Sequence, residues 1–396
     1  MLTCCTPYSL GPTNELDGSD STPGYNNFVD LYPFLVLTSS SRQSPEVMLS
    51  SLVHAPPLAF LSASLPRLFS THNATRAAMA AATSARIAVV GDVHDQWNLE
   101  DDTKALRFLQ PDLVLFTGDF GEENIELVRS VANLEFAKAV ILGNHDAWHT
   151  KKFSGKTKDG VQLQLDCLGE EHVAYRCLDF ATVKLSIVGG RPFSSGGNQL
   201  FRLKLLSARY GVHDMDGSAK RICKAALGAP EDHMVIILAH NGPTGLGSNL
   251  DDICGKDWDF GGGDHGDADL AQALSLLKES GKTCVPLVVF GHMHKLLAGG
   301  NGLRKMIVVG VDNTIYLNAA IVPRVKRLND EQGTSNKSFM NNEPGLSTPE
   351  SRGTIRAFTL VEILDGGVDK IVETWVSVVG DRTKLEEEHI LFKSGS

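Results

Sequence analysis

From Arg86 onward the chain alternates short apolar runs with amphipathic stretches. Arg86–Val90 reads as a buried strand that ends in Gly91-Asp92. Asn98 can cap a helix running to about Gln110, and Asp112–Thr117 is a second strand, ending in Gly118-Asp119. Glu123–Leu134 reads as helix, and Ala137–Leu142 as a third strand that ends in Gly143-Asn144-His145-Asp146. Strands alternating with helices predict parallel pairing with helical crossovers. In such sheets ligands gather beyond the carboxyl ends of the strands, where these polar tails sit.

The same grammar returns after a long insert at 150–232. Met234–Leu238 is a strand running into Ala239-His240-Asn241-Gly242, Leu270–Leu277 is helical, and Pro286–Phe290 runs into Gly291-His292-Met293-His294. Met306–Val309, Thr314–Leu317, Ala357–Ile363 and Lys370–Val378 are strand-like with no helices between them, which predicts a second, mainly antiparallel sheet. The span 324–352 is polar and rich in Asn, Ser, Gly and Pro, and is expected to be a mobile loop. No internal repeat is apparent.

Residues 1–83 show neither period and are expected to be disordered. Between Met48 and Arg86 there is no Asp or Glu, and Arg67, Arg76 and Arg86 stand among Ser and Ala, the composition of an organelle transit peptide. Glu15, Asp17, Asp20, Asp30 and Glu46 do not suit a transit peptide's leading end, so Met48 is the expected start of translation. The destination this predicts is the chloroplast, with the mitochondrion as alternative. The remaining span, 84–396, is read as one domain.

Charge and cysteine usage narrow the function. The 396 residues carry a net charge of -10 and no long Lys/Arg run, so no nucleic-acid-binding patch is expected. No apolar run approaches the ~20 residues of a membrane-spanning helix. Seven Cys occur without a C-x-x-C pair, which argues against a zinc ribbon or a disulfide framework.

The chemistry is concentrated in the five strand-end blocks. Each pairs Gly or Ala with Asp, Asn or His, side chains that bind metals. Asp92, His94, Asp119, Asn144, His240, His292 and His294 are the candidate ligands, more than one ion needs. Oxygen and imidazole donors without thiolate suit Mn, Fe or Zn in an open site rather than a closed structural zinc. If Asp119 bridges, two divalent or trivalent ions share the set, and two metals ~3.5–4 Å apart can activate water and clamp phosphate oxygens.

In this order the blocks resemble the calcineurin-like metallophosphoesterase superfamily, whose signature is D-x-H, G-D, G-N-H-D/E, a lone H and G-H-x-H. The wording from Asp92 to Trp97 and from Gly143 to Trp148 is similar to a cyanobacterial and plant-plastid branch. The resemblance implies an α/β four-layer α-β-β-α sandwich of two mixed sheets, hydrolysing a small-molecule or nucleotide phosphate ester with a two-metal-activated hydroxide. It implies that Asp92, His94 and His294 hold one metal, that Asn144, His240 and His292 hold the other, and that Asp119 bridges. His145 would act on the leaving oxygen, and Glu122 would orient it. Glu123 stands where the protein serine/threonine phosphatase branch carries Arg, which counts against that alternative. An intact His145 counts against a non-catalytic metal-binding scaffold.

Other residues carry weaker expectations. Arg191, flanked by glycines in Gly189-Gly190-Arg191-Pro192, can grip a phosphate or sit in a turn, and the insert is expected to carry substrate selectivity. Asp267 is expected to cap a helix, with metal binding by Asp264, His265 and Asp267 as the alternative. Trp97 and Trp148 either wall the pocket or pack under its loops.

Overall fold

The computed structural model describes residues 84–298, 300, 302–328 and 353–395. The transit-peptide reading and most of the predicted loop at 324–352 lie outside them. Two mixed sheets form the frame. In the first, β1 (Ser84–Val90), β2 (Leu113–Phe116) and β3 (Lys138–Val140) are parallel, crossed over by α1 (Leu99–Leu109) and α2 (Ile125–Ala132). The Asn98 side chain caps α1 by accepting from the Asp101 amide at 3.0 Å, and acids fill the first turn, where the helix dipole favours them.

The span 150–232 is a structural part of the second sheet rather than an appended insert. It supplies α3 (Gly160–Leu168), β4 (Cys177–Phe180), β5 (Leu185–Gly189), α4 (Leu203–Tyr210) and α5 (Met215–Ala226). The second sheet continues through β6 (Met234–Leu238), then α6 (Ala268–Ser280), β7 (Leu287–Phe290), β8 (Ile307–Val309) and β9 (Ile315–Asn318). Its strand order is β4-β5-β6-β7-β9-β8, with β5, β6, β7 and β9 mutually parallel.

The expected second antiparallel sheet is therefore corrected. The late strands divide between the two sheets. β8 and β9 join the parallel one, whereas β11 (Thr354–Leu364) lies antiparallel to β1 and continues through β12 (Gly367–Val379) into β13 (Arg382–Lys393). Within the predicted loop, β10 (Val325–Arg327) is a strand paired with β11.

Alternation along the strands makes the layers. Ile87 and Val89 of β1 share a buried cluster with Leu115, Ile187, Ile236, Val289 and Val361, which fills the space between the sheets. Ala88 and Val90 point the other way, into a cluster with Leu106, Val128 and Val131 of the helices, and Ile237 and Val288 of the second sheet join Ile222 and Leu270 there. Each fully buried aliphatic side chain contributes roughly 1.5–3 kcal/mol. The outcome is the expected helix-sheet-sheet-helix sandwich. No helix among the described residues is long and apolar enough to cross a membrane.

One buried ion cluster ties the first sheet to its helix. Asp102 in α1 accepts from Arg324 at 2.8 Å, from Arg356 at 2.7 Å and from the Asn98 amide at 2.9 Å. Arg324 also donates to the Gln96 carbonyl, which anchors the chain just after His94. Asp102→Ala would leave two buried guanidiniums short of countercharge, at a cost of about 3–5 kcal/mol. Urea unfolding measures this; a loss under about 1 kcal/mol would show that the cluster does not hold the layer.

Candidate metal centre

All seven candidate ligands lie just past the carboxyl ends of strands, where the two sheets meet. β1 delivers Asp92 and His94, β2 Asp119, β3 Asn144, β6 His240, and β7 His292 and His294. Main-chain bonds lock the loops to one another, including His94 N to Asp119 O at 2.8 Å and Gly291 N to His240 O at 2.8 Å. Two glycines set how close the loops come. A Cβ on Gly143 would lie 2.2 Å from Asp119 Oδ1, and one on Gly291 would lie 2.1 Å from Asp92 Oδ1, so no larger residue leaves the carboxylates in place. Three candidate ligands accept strained backbone to aim inward: His94, Asp119 and His292 have φ of 40°, 49° and 67°. Such left-handed conformations cost about 1–3 kcal/mol each and persist only where their surroundings enforce them.

Two clusters result. Asp92, His94 and His294 form one, and Asp119, His240 and His292 the other. His94 Nε2 and His294 Nε2 face each other at 3.0 Å, and His294 Nε2 lies 3.6 Å from Asp92 Oδ2. In the second cluster His240 Nε2 is 3.0 Å from Asn144 Oδ1 and 3.4 Å from Asp119 Oδ2. The same Asp119 oxygen is 3.9 Å from His94 Nε2, so it reaches both clusters, while Oδ1 accepts from the His145 amide at 2.9 Å. Two donors each about 2.0–2.1 Å from one ion, at roughly right angles, would be about 3 Å apart, so this donor set fits metal ions.

Electrostatics point the same way. Burial opposes charge on every group here. At His240 the carboxylates of Asp119 and Asp92 outweigh it and raise the imidazole to about 10. Burial would raise Asp92, but its contact with His294 and the charge of His240 hold it far below the usual carboxylate range. Burial, reinforced by His240, pushes His292 down to about 3. The buried carboxylates thus draw positive charge between them, which a proton or a metal ion can supply.

His145 begins a short 3-10 turn, His145–Ala147, beside the first cluster. Its ring lies edge-to-face on His94, with centroids 5.1 Å apart, and stacks flat on Trp148 at 4.9 Å. Glu122, expected to orient it, forms no hydrogen bond or ion pair with it: its carboxylate is exposed, 4.0 Å from His149 Nε2. Glu123 instead braces the next turn, accepting from the His149 amide at 2.7 Å and from Thr150.

Arg191 is also corrected. It is only 2% exposed and faces inward, with Nη2 2.8 Å from Asp267 and Nε 2.9 Å from Asp269. Two buried acids hold the guanidinium inward, away from the surface where it was expected to meet a phosphate. The same pairing occupies Asp267, which accepts from Ser194 at 2.6 Å and neither caps α6 through its side chain nor joins either cluster. Trp97 packs inward, edge-on to Phe116 at 5.5 Å and bonded to Ser130, whereas Trp148 is exposed at the rim.

Sequence reasoning gave Asp146 no role, yet its carboxylate accepts from the amides of Asp119, Phe120 and Gly143 at 2.8–2.9 Å. It pins the β2 and β3 loops together. The signal was present, as a third polar residue in the block with no ligand slot left for it. Asp146→Ala should reduce metal affinity about 10–100-fold, the usual worth of a support behind the ligands. Calorimetric titration with Mn2+ would read it; unchanged affinity in a folded variant would contradict the pinning role.

Comparison with known proteins follows this geometry. The sequence profile described as calcineurin-like phosphoesterase matches residues 85–296, just over half the chain. No protein of curated function matches the sequence. Among solved structures, a dimetal phosphatase from Danio rerio is similar at 11% identity and a TM-score of 0.40, over 78% of this chain and 99% of that one. A conserved uncharacterized protein from Streptococcus pneumoniae, a predicted phosphoesterase, is similar at 12% identity and a TM-score of 0.27, over 78% of this chain and 98% of that one.

Proposed function

The chain belongs to the calcineurin-like phosphoesterase family and is a metal-dependent hydrolase of phosphate esters, and on that premise we propose that it uses two ions on a small-molecule or nucleotide ester. The observation that carries the reading is the pair of clusters sharing Asp119, with His145 one ring contact away. Asp92, His94 and His294 would hold one ion, Asn144, His240 and His292 the other, and Asp119 both. Mn, Fe or Zn suits the donors. Bound there, two such ions polarise phosphoryl oxygens and lower the pKa of water.

The residues do the rest. The strained loops fix the ligands before substrate arrives, so little reorganisation remains for the reaction. A water oxygen bonds to phosphorus, the P–O bond to the leaving group breaks, and the leaving oxygen takes a proton. His145 is the donor best placed for that last step, held by the Asp119 bond at its amide and by Trp148 at its ring. A protein serine/threonine phosphatase reading is disfavoured, because Glu122 turns toward His149 and Glu123 stands in place of Arg.

His145→Asn tests the assignment. With both metals retained, turnover of an alkyl phosphate should fall about 10²–10⁴-fold, the usual worth of a positioned acid. The loss should be smaller for a 4-nitrophenyl ester, whose leaving group needs little protonation. Steady-state rates on the two substrates, with metal content by elemental analysis, decide it. Undiminished rates on both would remove His145 from the chemistry.

A further inference from the structure

The described part of the chain has two tryptophans at the rim, and each reaches the metal centre through one histidine. On one side Trp148, 42% exposed, stacks on His145, whose ring contacts His94 of the first cluster. On the other, Trp258, 57% exposed, meets His265 edge-on at 4.9 Å, and His265 stacks on His292 of the second cluster at 5.8 Å and 24°. His265 is held in place, since its Nε2 bonds the Ser195 carbonyl at 2.8 Å. An indole therefore stands beyond each cluster, and no step of the proposed reaction uses the second.

The Trp258 side is also the more apolar. Phe260, Leu296 and Leu303 are exposed there, and the segments are clamped together by Asp257, which accepts from the Ala298 amide at 2.6 Å and pairs with Arg304 at 3.2 Å. Exposed apolar side chains gathered beside a catalytic centre mark a binding surface. Its charge limits the occupant. Five aspartates, Asp251, Asp252, Asp257, Asp259 and Asp264, stand along this loop, and Lys256 together with the paired Arg304 and Lys305 offsets only three of them, so the face keeps a net negative charge that disfavours a further phosphate. Beyond Trp148 the sequence instead carries Lys151, Lys152, Lys156 and Lys158.

We propose that the substrate is a phosphodiester whose retained arm is an uncharged aromatic group stacked on Trp258, while the leaving group departs over His145 and Trp148. This rests on the two-metal reading above. In the balanced reaction water supplies a hydroxyl to phosphorus, the bond to the Trp148-side oxygen breaks, that oxygen gains a proton, and the Trp258-side ester stays intact in a phosphomonoester product. A phosphomonoester substrate has no second arm and would leave this shelf without a purpose.

Three substrates with one leaving group test the idea on the Mn-loaded full chain: 4-nitrophenyl phosphate, 4-nitrophenyl methyl phosphate and 4-nitrophenyl phenyl phosphate. The phenyl diester should exceed the methyl diester in kcat/KM by roughly ten-fold or more, the range that aromatic stacking supplies. Trp258→Ala should bring that ratio to about one, Trp258→Phe should keep most of it, and Trp148→Ala should lower both diesters together. Binding gives a second readout: phenylphosphonate should quench tryptophan fluorescence in wild type more than in Trp258→Ala. Turnover of the monoester alone, or a phenyl preference that survives Trp258→Ala, would overturn the proposal. A preference for long alkyl arms over phenyl would overturn it too, in favour of an aliphatic ligand. Failure on all three substrates would bring down the two-metal reading itself.

Discussion

Asp92 and Asp119 are buried carboxylates placed where two sheets meet, and the molecule is organised around supplying the positive charge they require. An unpaired buried carboxylate is far too costly to persist. The histidines that surround them come from both sheets, so the cluster also fastens one sheet to the other. Asp92 accepts from the His292 amide at 2.9 Å, and His240 Nδ1 bonds the Thr117 carbonyl at 2.7 Å, each bond crossing the seam. Metal affinity and sheet packing are thus two uses of one arrangement.

Around this centre the supports are rigid and mostly invisible from outside. Asp146 holds two loops by three amides, and Arg191 with Asp267 and Asp269 locks β5 to the start of α6. Arg202 donates to the Ala147 carbonyl at 2.7 Å and so anchors the turn carrying His145 and Trp148. Among the described residues, the rings of His145, Trp148, His265 and Trp258 lie outside these supports, linked to the clusters by ring contacts. Precise metal ligands need such rigid supports behind them.

β1, β2, β3, β6 and β7 were legible because each runs into a Gly or Ala beside a metal-binding side chain, whereas β5, inside the insert, and β9 carry no such ending and were missed or misplaced. Of the late strands, β8, β9, β11 and β12 were recognised but grouped into one sheet, while β10 and β13 were not recognised. Period-2 alternation reports a buried face and does not name the neighbour, and β11 finds β1 far back in the sequence. The residues of the blocks come together in space as their pattern implied, whereas the directions of the side chains next to them could not be read. Glu122 sits at the right count from Asp119 yet points to solvent, and Arg191 lies between glycines yet is claimed by acids 76 and 78 positions later. Trp258 carried no motif at all, and only the ring contacts through His265 connect it with the centre.

The central claim is that one chain binds two ions and needs both to hydrolyse a phosphate ester. Stripping the purified full chain with a chelator, then adding Mn2+ stepwise while measuring bound metal and the hydrolysis of 4-nitrophenyl phosphate and 4-nitrophenyl phenyl phosphate, tests it directly. The account predicts a chelated protein without activity, saturation at two ions per chain, and activity that rises with the second. Saturation at a single ion with full activity, or hydrolysis that survives complete removal of metal, would contradict it.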